Sequence, residues 1–466
     1  MKLEVAVLFG VLIVLQFMTS LNVLIYFPDG FWTEGYYHPA AVNLLEHGVY
    51  GFYDGDSLTP TTNRPPLYVI LLAGLYSIFG AHEVIGVILN NIMLFGVFVF
   101  TYLLGRRLGP AIGFLAVIMV ALDSIYLAEA NRNQSDMVFS LLVVASLYAI
   151  VRALDGGLSL RRVAIVSILV GLATFTRAAG LYLWVALLIV IVVASWRVER
   201  ARRIAMAGLI VIVINGAFVV PWMIRNQSIT GNADFAGMKG YHLTNYFAPL
   251  FIANKKGLTY DEASKLIFSG IENDPEFQAI TNQGERERYF SRFARDLILD
   301  NIPHAAWAVI ENIPRMFLSY ASEPLAVYLG PQGFERWYLR YQQGAVGGSA
   351  EKESLGIMGR LRDYYESGTW FIVGYGILVK ILNAAVVILS VVGCVVLIFS
   401  RSATNRNVGL AVFLICGVLT LTAIVATQGR FRLPIMPGIG VAAAYILILL
   451  VSRIRGQDRP VAEHQK

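Results

Sequence analysis

Charge is what this chain has least of. Only 15% of its 466 residues are Asp, Glu, Lys or Arg, 57% are hydrophobic, and the mean hydropathy is +0.62. A water-soluble enzyme of this length is far more polar. Cysteine is nearly absent as well: the two present, Cys394 and Cys416, lie inside apolar runs. That excludes a disulfide framework or a thiolate zinc site and leaves them as packing residues. There is no internal repeat and no pair of matching halves, so the inverted-repeat plan of many transporters lacks its signature. The net charge of +6 and pI near 9.1 would suit nucleic acid. The basic residues fall in short clusters between apolar spans, however, where membrane topology accounts for them, and no nucleic-acid partner is expected.

What the chain has in abundance is apolar sequence in long runs. A helix needs about 20 residues to cross about 30 Å of hydrocarbon. Runs at 3–26, 84–104, 112–127, 137–151, 163–176, 181–196, 204–222, 370–400, 408–427 and 433–451 predict about ten transmembrane helices. The first is too long for a secretory h-region and lacks a small-residue cleavage site, so it is expected as a retained anchor. On this count Lys2, Arg106-Arg107, Arg152 with Arg161-Arg162, the cluster 197–203, Arg401 with Arg406, and Arg453 with Arg455 share one face. The positive-inside rule makes that face, and both termini, cytoplasmic.

Two apolar stretches are expected not to cross. Residues 67–80 are too short at about 14 residues and predict a helix lying in the interface. Residues 302–320, interrupted by His304, Glu311 and Arg315, predict an amphipathic surface helix. The fold class is therefore an all-α polytopic membrane protein with interfacial helices in the first external loop. Three units follow: a transmembrane module over 1–226 that includes the polar loop 27–80, a mainly helical external region over 227–369, and C-terminal transmembrane helices with a cytoplasmic tail over 370–466.

The loop 27–80 is where ionisable side chains meet the lipid surface, and such residues are costly there unless function requires them. Pro39 near the start and Gly48 at the end predict a short helix over 38–47. Asp29 and Glu34 precede it. A carboxylate before a helix is an ordinary cap, but beside Trp32, Tyr36 and Tyr37 desolvation could raise its pKa toward that of a general base. Five arginines, Arg64, Arg177, Arg225, Arg430 and Arg432, sit at helix ends on the external face. Snorkelling to headgroups is one reading, and an anionic ligand such as a lipid phosphate is the other. Asp136 opens a spanning helix, where the helix dipole favours a carboxylate. His242 is a candidate general acid or metal ligand, though a lone histidine is usually neither. Two sequon matches, at Asn133 and Asn226, are short enough to arise by chance.

Glu34-Gly-Tyr-Tyr37, Ala41, Asn43-Leu44, Gly48, Arg64-Pro-Pro-Leu-Tyr68 and Phe79-Gly80 resemble the first external loop of the GT-C superfamily of membrane glycosyltransferases. The branch is the bacterial one related to protein O-mannosyltransferases and the lipid A aminoarabinose transferase. Asp136, Thr176-Arg177, Pro221-Trp222-Met-Ile-Arg225-Asn226 and Gly429-Arg-Phe-Arg-Leu-Pro434 extend the likeness over most of the chain.

The resemblance implies an inverting transfer of one sugar from a polyprenyl-monophosphate donor to a glycan, lipid or protein acceptor at the outer face of a bacterial inner membrane. It implies a base carboxylate in the first loop, where relatives carry an Asp-Glu pair. This chain has Thr33-Glu34, so Glu34 or Asp29 takes that place. It further implies basic residues on the lipid phosphate, Arg64 and Arg177 foremost, and a second acid, Asp136. Tyr36, Tyr37 and Trp32 would stack on the sugar. Metal use varies among such enzymes, so no cofactor is assigned; His242 and Asn63 are the candidates if a divalent metal binds. Two alternatives are a transporter or flippase of lipid-linked sugars, and an oligosaccharide polymerase or ligase of the same fold.

Overall fold

The computed structural model describes residues 2–26, 35–321, 370–423 and 428–455. Its helices follow the apolar runs: α1 Lys2–Tyr26, α2 Tyr37–His47, α3 Leu67–Phe79, α4 Val84–Arg106, α5 Pro110–Ala121, α6 Ser124–Ala130, α7 Asp136–Leu154, α8 Leu160–Thr176, α9 Leu183–Ser195 and α10 Ala201–Thr230. The segment after α10 adds α11 Lys239–His242, α12 Ala248–Lys256, α13 Tyr260–Glu272, α14 Pro275–Gln278, α15 Gln283–Leu299 and α16 Ile302–Leu318. Three long helices close the described chain: α17 Trp370–Ile398, α18 Ala403–Ala423 and α19 Met436–Ile454. Nine of the ten predicted spans are each found as one helix within the described residues. Among the described residues seven helical segments are long and apolar enough to cross a membrane, or eight if the bent pair α5–α6 is one span. The two that fall outside this criterion are α1 and the 17-residue α8.

The run predicted as one helix over 112–127 is broken. Helices α5 and α6 meet at 67° across Leu122 and Asp123. Asp123 leaves the helical region (φ −78°, ψ 108°) and its Oδ1 accepts from Ile125 N at 3.1 Å, capping α6. A carboxylate followed by serine inside an apolar run is an N-cap signal that hydropathy alone overrides. The second departure is a two-stranded hairpin, β1 Gly51–Asp54 against β2 Ser57–Pro60, where no strand was expected. Gly55 supplies the positive φ (58°) of its turn, and Phe52, Tyr53 and Thr59 are good strand formers.

Helix α2 ends as its sequence predicts, with Gly48 left-handed (φ 68°) and its N–H returned to Asn43 O and Leu44 O. The bundle core runs through α4, α5, α7, α8, α9, α18 and α19, a second core through α12, α13, α15 and α16, and a third joins α2, α3 and the start of α4. Within the bundle α1 is pinned by amides, Gln16 Nε2 donating to Asn91 Oδ1 at 2.8 Å and Ser20 Oγ to the same atom at 3.1 Å. The arginine clusters sort to two ends. At one, Arg107 pairs with Asp155 at 2.5 Å and Arg162 donates to Arg152 O, while Glu199 accepts from Leu158 N and Arg203. The five arginines expected on the other face lie at the other end.

Helices α17 and α19 pack tightly, so that a Cβ on Gly393 would stand 2.2 Å from Ala442 O. Gly393→Val is expected to lower stability by about 1–3 kcal/mol, read as a drop in the thermal unfolding midpoint in detergent. Gly374→Val on the same helix, with open space around it, is expected to cause no such loss.

Candidate active site

The hairpin and α2 place Arg64. Thr61 N donates to Tyr50 O at 2.9 Å, and Tyr50 OH donates to Arg64 O at 2.9 Å while meeting Tyr36 OH at 3.1 Å. The Arg64 guanidinium lies 4.4 Å from the ring centre of Tyr36 and 4.9 Å from that of Tyr37, a double cation–π contact. Tyr37 is only 4% exposed; its ring packs edge-on to Tyr68 and its OH meets Ser135 Oγ at 2.8 Å. The tyrosine pair expected to stack on sugar is therefore used as a platform under a cation. Tyr37 has no ring face left for a ligand.

Residues 133–136, between α6 and α7, are the hub on which the other parts converge. Asn90 holds this turn through Gln134 O, and Tyr68 OH holds Asn133 Oδ1 at 3.0 Å. Arg177, just past the end of α8, meets Asp136 Oδ2 at 2.5 Å and Ser135 Oγ at 3.3 Å. Arg430 donates to Gln134 Oε1. Both guanidiniums share the ring of Phe431, at 5.5 and 5.6 Å. Arg64, Tyr37, Ser135, Arg177, Phe431, Arg430 and Gln134 thus form one connected circuit.

His242 ends α11, immediately before a π-type turn over Leu243–Phe247. Glu287 clamps the backbone beside it, accepting from Gly240 N and, at 3.3 Å, from Tyr241 N. Gly240 is pressed so closely on α15 that a Cβ would stand 2.4 Å from Ser291 N. Burial, then the positive charges of Arg64, Arg177 and Arg430, lower the His242 pKa from 6.5 to about 4. The imidazole is neutral at neutral pH, and the three arginines that act on it are those of the circuit.

Two of the five arginines serve elsewhere. Arg225 stacks on Trp222 at 4.5 Å and donates to Thr61 O at 2.7 Å, fastening the loop before Arg64 to the end of α10. Arg432 is fully buried: Nε and Nη2 meet the two oxygens of Asp123 at 2.8 and 2.6 Å, and Nη1 donates to Met316 O at 2.8 Å and Ser319 Oγ at 2.9 Å. Its donors are spent on the protein, so it stands apart from the phosphate-binding set in which the sequence placed it. Asn63 Oδ1 accepts from Gln283 Nε2 at 2.7 Å. Among the described residues no group of three or more His, Cys, Asp or Glu side chains could hold a metal. Asp29, Trp32 and Glu34 lie outside the described residues.

Gln134, Ser135, Phe431 and Glu287 were not singled out from sequence. Ser135 and Gln134 adjoin Asp136 and Phe431 lies between two candidate arginines, so adjacency was their only signal. Glu287, within a charged surface pattern, gave none.

Residues 63–224 match the family described as dolichyl-phosphate-mannose-protein mannosyltransferase. The matched segment carries Arg64, Asp136 and Arg177. Among solved structures, ArnT from Cupriavidus metallidurans bound to undecaprenyl phosphate is similar at 15% identity over 91% of this chain and 77% of its own, with TM-score 0.41. The oligosaccharyltransferase AglB from Archaeoglobus fulgidus, in complex with an inhibitory peptide and a dolichol-phosphate, is similar at 12% identity over 98% of this chain, with TM-score 0.47. This chain spans about half the length of that enzyme, 52%. No curated protein sequence matches. The chain resembles GT-C membrane glycosyltransferases, as its motifs indicated.

A buried ion pair broken on one side is costly, about 3–5 kcal/mol. Arg432→Met is expected to lower the unfolding midpoint by that order, and Arg432→Met with Asp123→Asn to restore a large part of the loss, both read by thermal or urea unfolding in detergent. For His242 the folded pKa lies below the unfolded one, so the unfolded chain takes up the proton first. Its contribution to stability is complete above about pH 6.5 and is lost as pH falls toward 4. His242→Gln is expected to flatten the wild-type decline in unfolding midpoint across that window, and parallel curves would exclude the effect.

Proposed function

We propose that this chain is an inverting glycosyltransferase that moves a single sugar from a polyprenyl-monophosphate donor to an acceptor at the outer face of the membrane. The observation that carries the reading is the gathering of Arg64, Arg177 and Arg430 around residues 133–136 at one end of an apolar bundle. Burial first, and their positive charge second, lower the pKa of His242 beside them. A cluster of this kind attracts an anion, and one at the end of membrane helices suits an anion carried on a lipid. The family description over 63–224 adds support, since it names a lipid-phosphate sugar as donor.

In this reaction an acceptor oxygen attacks the anomeric carbon as the bond from that carbon to the phosphate oxygen breaks, and the configuration inverts. The acceptor proton passes to Glu34 or Asp29. The donor is a phosphodiester with one negative charge, and the departing polyprenyl phosphate gains a second. Arg64, Arg177 and Arg430 stabilise the charge that develops on the leaving oxygen. Asp136, held by Arg177 at 2.5 Å, orients that guanidinium rather than taking a proton. The Tyr36–Tyr37 platform does the same for Arg64.

Purified protein in nanodiscs, offered a panel of polyprenyl-monophosphate sugars, is expected to consume one of them. Arg64→Ala and Arg177→Ala should each slow turnover by about 10²-fold or more. Glu34→Gln or Asp29→Asn should abolish turnover while leaving polyprenyl phosphate binding intact. Retained polyprenyl phosphate binding with no turnover of any donor, even with membrane extract supplying acceptors, would overturn the transferase reading.

A further inference from the structure

Helix α16 has two apolar faces. One is internal, with Ala305, Ala308 and Met316 buried and the helix packed on α12 and α17. The other is bare: Ile302, Trp307 and Ile310 are each more than half exposed, and Ile313 continues the row. Steps of five, three and three residues put these side chains on one broad face, spread over about 140° of the helix surface. Turned to water, such a stripe would be an aggregation site.

The depth of the helix in the fold identifies what covers it. Tyr320, two residues beyond α16, lies against Gly376 of α17, where a Cβ would stand 2.5 Å from its ring, and Lys380 Nζ is 5.5 Å from the same ring centre. Arg401 marks the opposite end of α17, and about 20 residues back from it, one hydrocarbon thickness, is Ile381. Lys380 and Tyr320 therefore fall at the headgroup boundary, where lysines snorkel and tyrosines are favoured. The outward residues of α17 at that height, Ile377, Leu378 and Ile381, are each more than half exposed, and α17 packs against α16. On its polar flank Trp307 donates its indole N–H to Glu311 Oε1 at 2.7 Å, which leaves the ring's apolar body outward.

We propose that α16 is an in-plane membrane anchor, with lipid at the headgroup–acyl boundary covering the Ile302, Trp307, Ile310 and Ile313 stripe. Its last turn and Ser319 accept both Nη1 hydrogen bonds of Arg432. The depth of α16 in the leaflet is thus passed to the turn that carries Arg430 and Phe431. The anchor stands whether or not the chain transfers sugar, and its test needs no donor.

In nanodiscs containing lipids brominated along the acyl chain, Trp307→Phe is expected to remove part of the quenchable fluorescence of the seven tryptophans. A nitroxide at Ile310→Cys, with Cys394 and Cys416 replaced by alanine, is expected to be more accessible to oxygen than to a water-soluble nickel chelate. Two results would overturn the proposal. One is a label open to the nickel chelate, with quenching unchanged by Trp307→Phe, which would put the stripe in water. The other is a label immobilised and screened from both reagents, which would mean that a protein segment covers it.

Discussion

The Asp123–Arg432 pair is the constraint on which the site depends. It is a charge pair with no exposure at all, in a setting where desolvation costs several kcal/mol per ion. It persists because each partner is saturated: Asp123 also caps α6 through Ile125 N, and Arg432 also binds Met316 O and Ser319 Oγ. Three segments of the chain, around Asp123, around Met316 and Ser319, and around Arg432 itself, meet at one guanidinium. Phe431 and Arg430 are its immediate neighbours, so the position of the arginine circuit follows from a bond that belongs to the core.

The same logic runs through the rest of the molecule. Several polar side chains inside the bundle fix one element against another. Gln16 and Ser20 hold α1 to α4 through Asn91, Asn90 holds the hub turn, and Tyr126 OH reaches Leu433 O. In a medium that supplies no alternative partner, each bond selects a register that apolar packing leaves open. The cations around the candidate site behave differently. They rest on aromatic faces, Arg64 on two tyrosines, Arg225 on Trp222, and Arg177 with Arg430 on Phe431. A π face orients a guanidinium without neutralising it.

Much of this was legible in the sequence because hydropathy acts over whole helices. The spans, the short apolar helix before α4, the short α2 with Gly48 as its cap and the sorting of arginines to two ends all follow from patterns many residues long. What could not be read depends on single long-range contacts. Arg432 and Arg430 are two residues apart and look alike in the sequence, yet one is sealed in the core and the other lies in the circuit. Only Asp123, 309 positions away, separates them. The Asp123 break was concealed for the opposite reason, since one cap was outweighed by the apolar residues on both sides. Tyr37 was read as ligand-facing because aromatic composition says nothing about which way a ring turns.

The broken helix has a consequence for how the molecule is made. Leu122 O accepts from Tyr375 OH, Ser124 Oγ accepts from Ala321 N, and Asp123 is neutralised by Arg432. The groups exposed by the break are thus served by segments synthesised about 200 to 310 residues later. On a ribosome that delivers helices in order, α5 and α6 enter the bilayer with a carboxylate and open backbone groups in search of partners. Their angle is fixed only when α17 and the turn carrying Arg432 arrive. The turn around Arg432 is in that sense a late-arriving part of the α5–α6 break, and the arginine circuit closes only once that turn has been made.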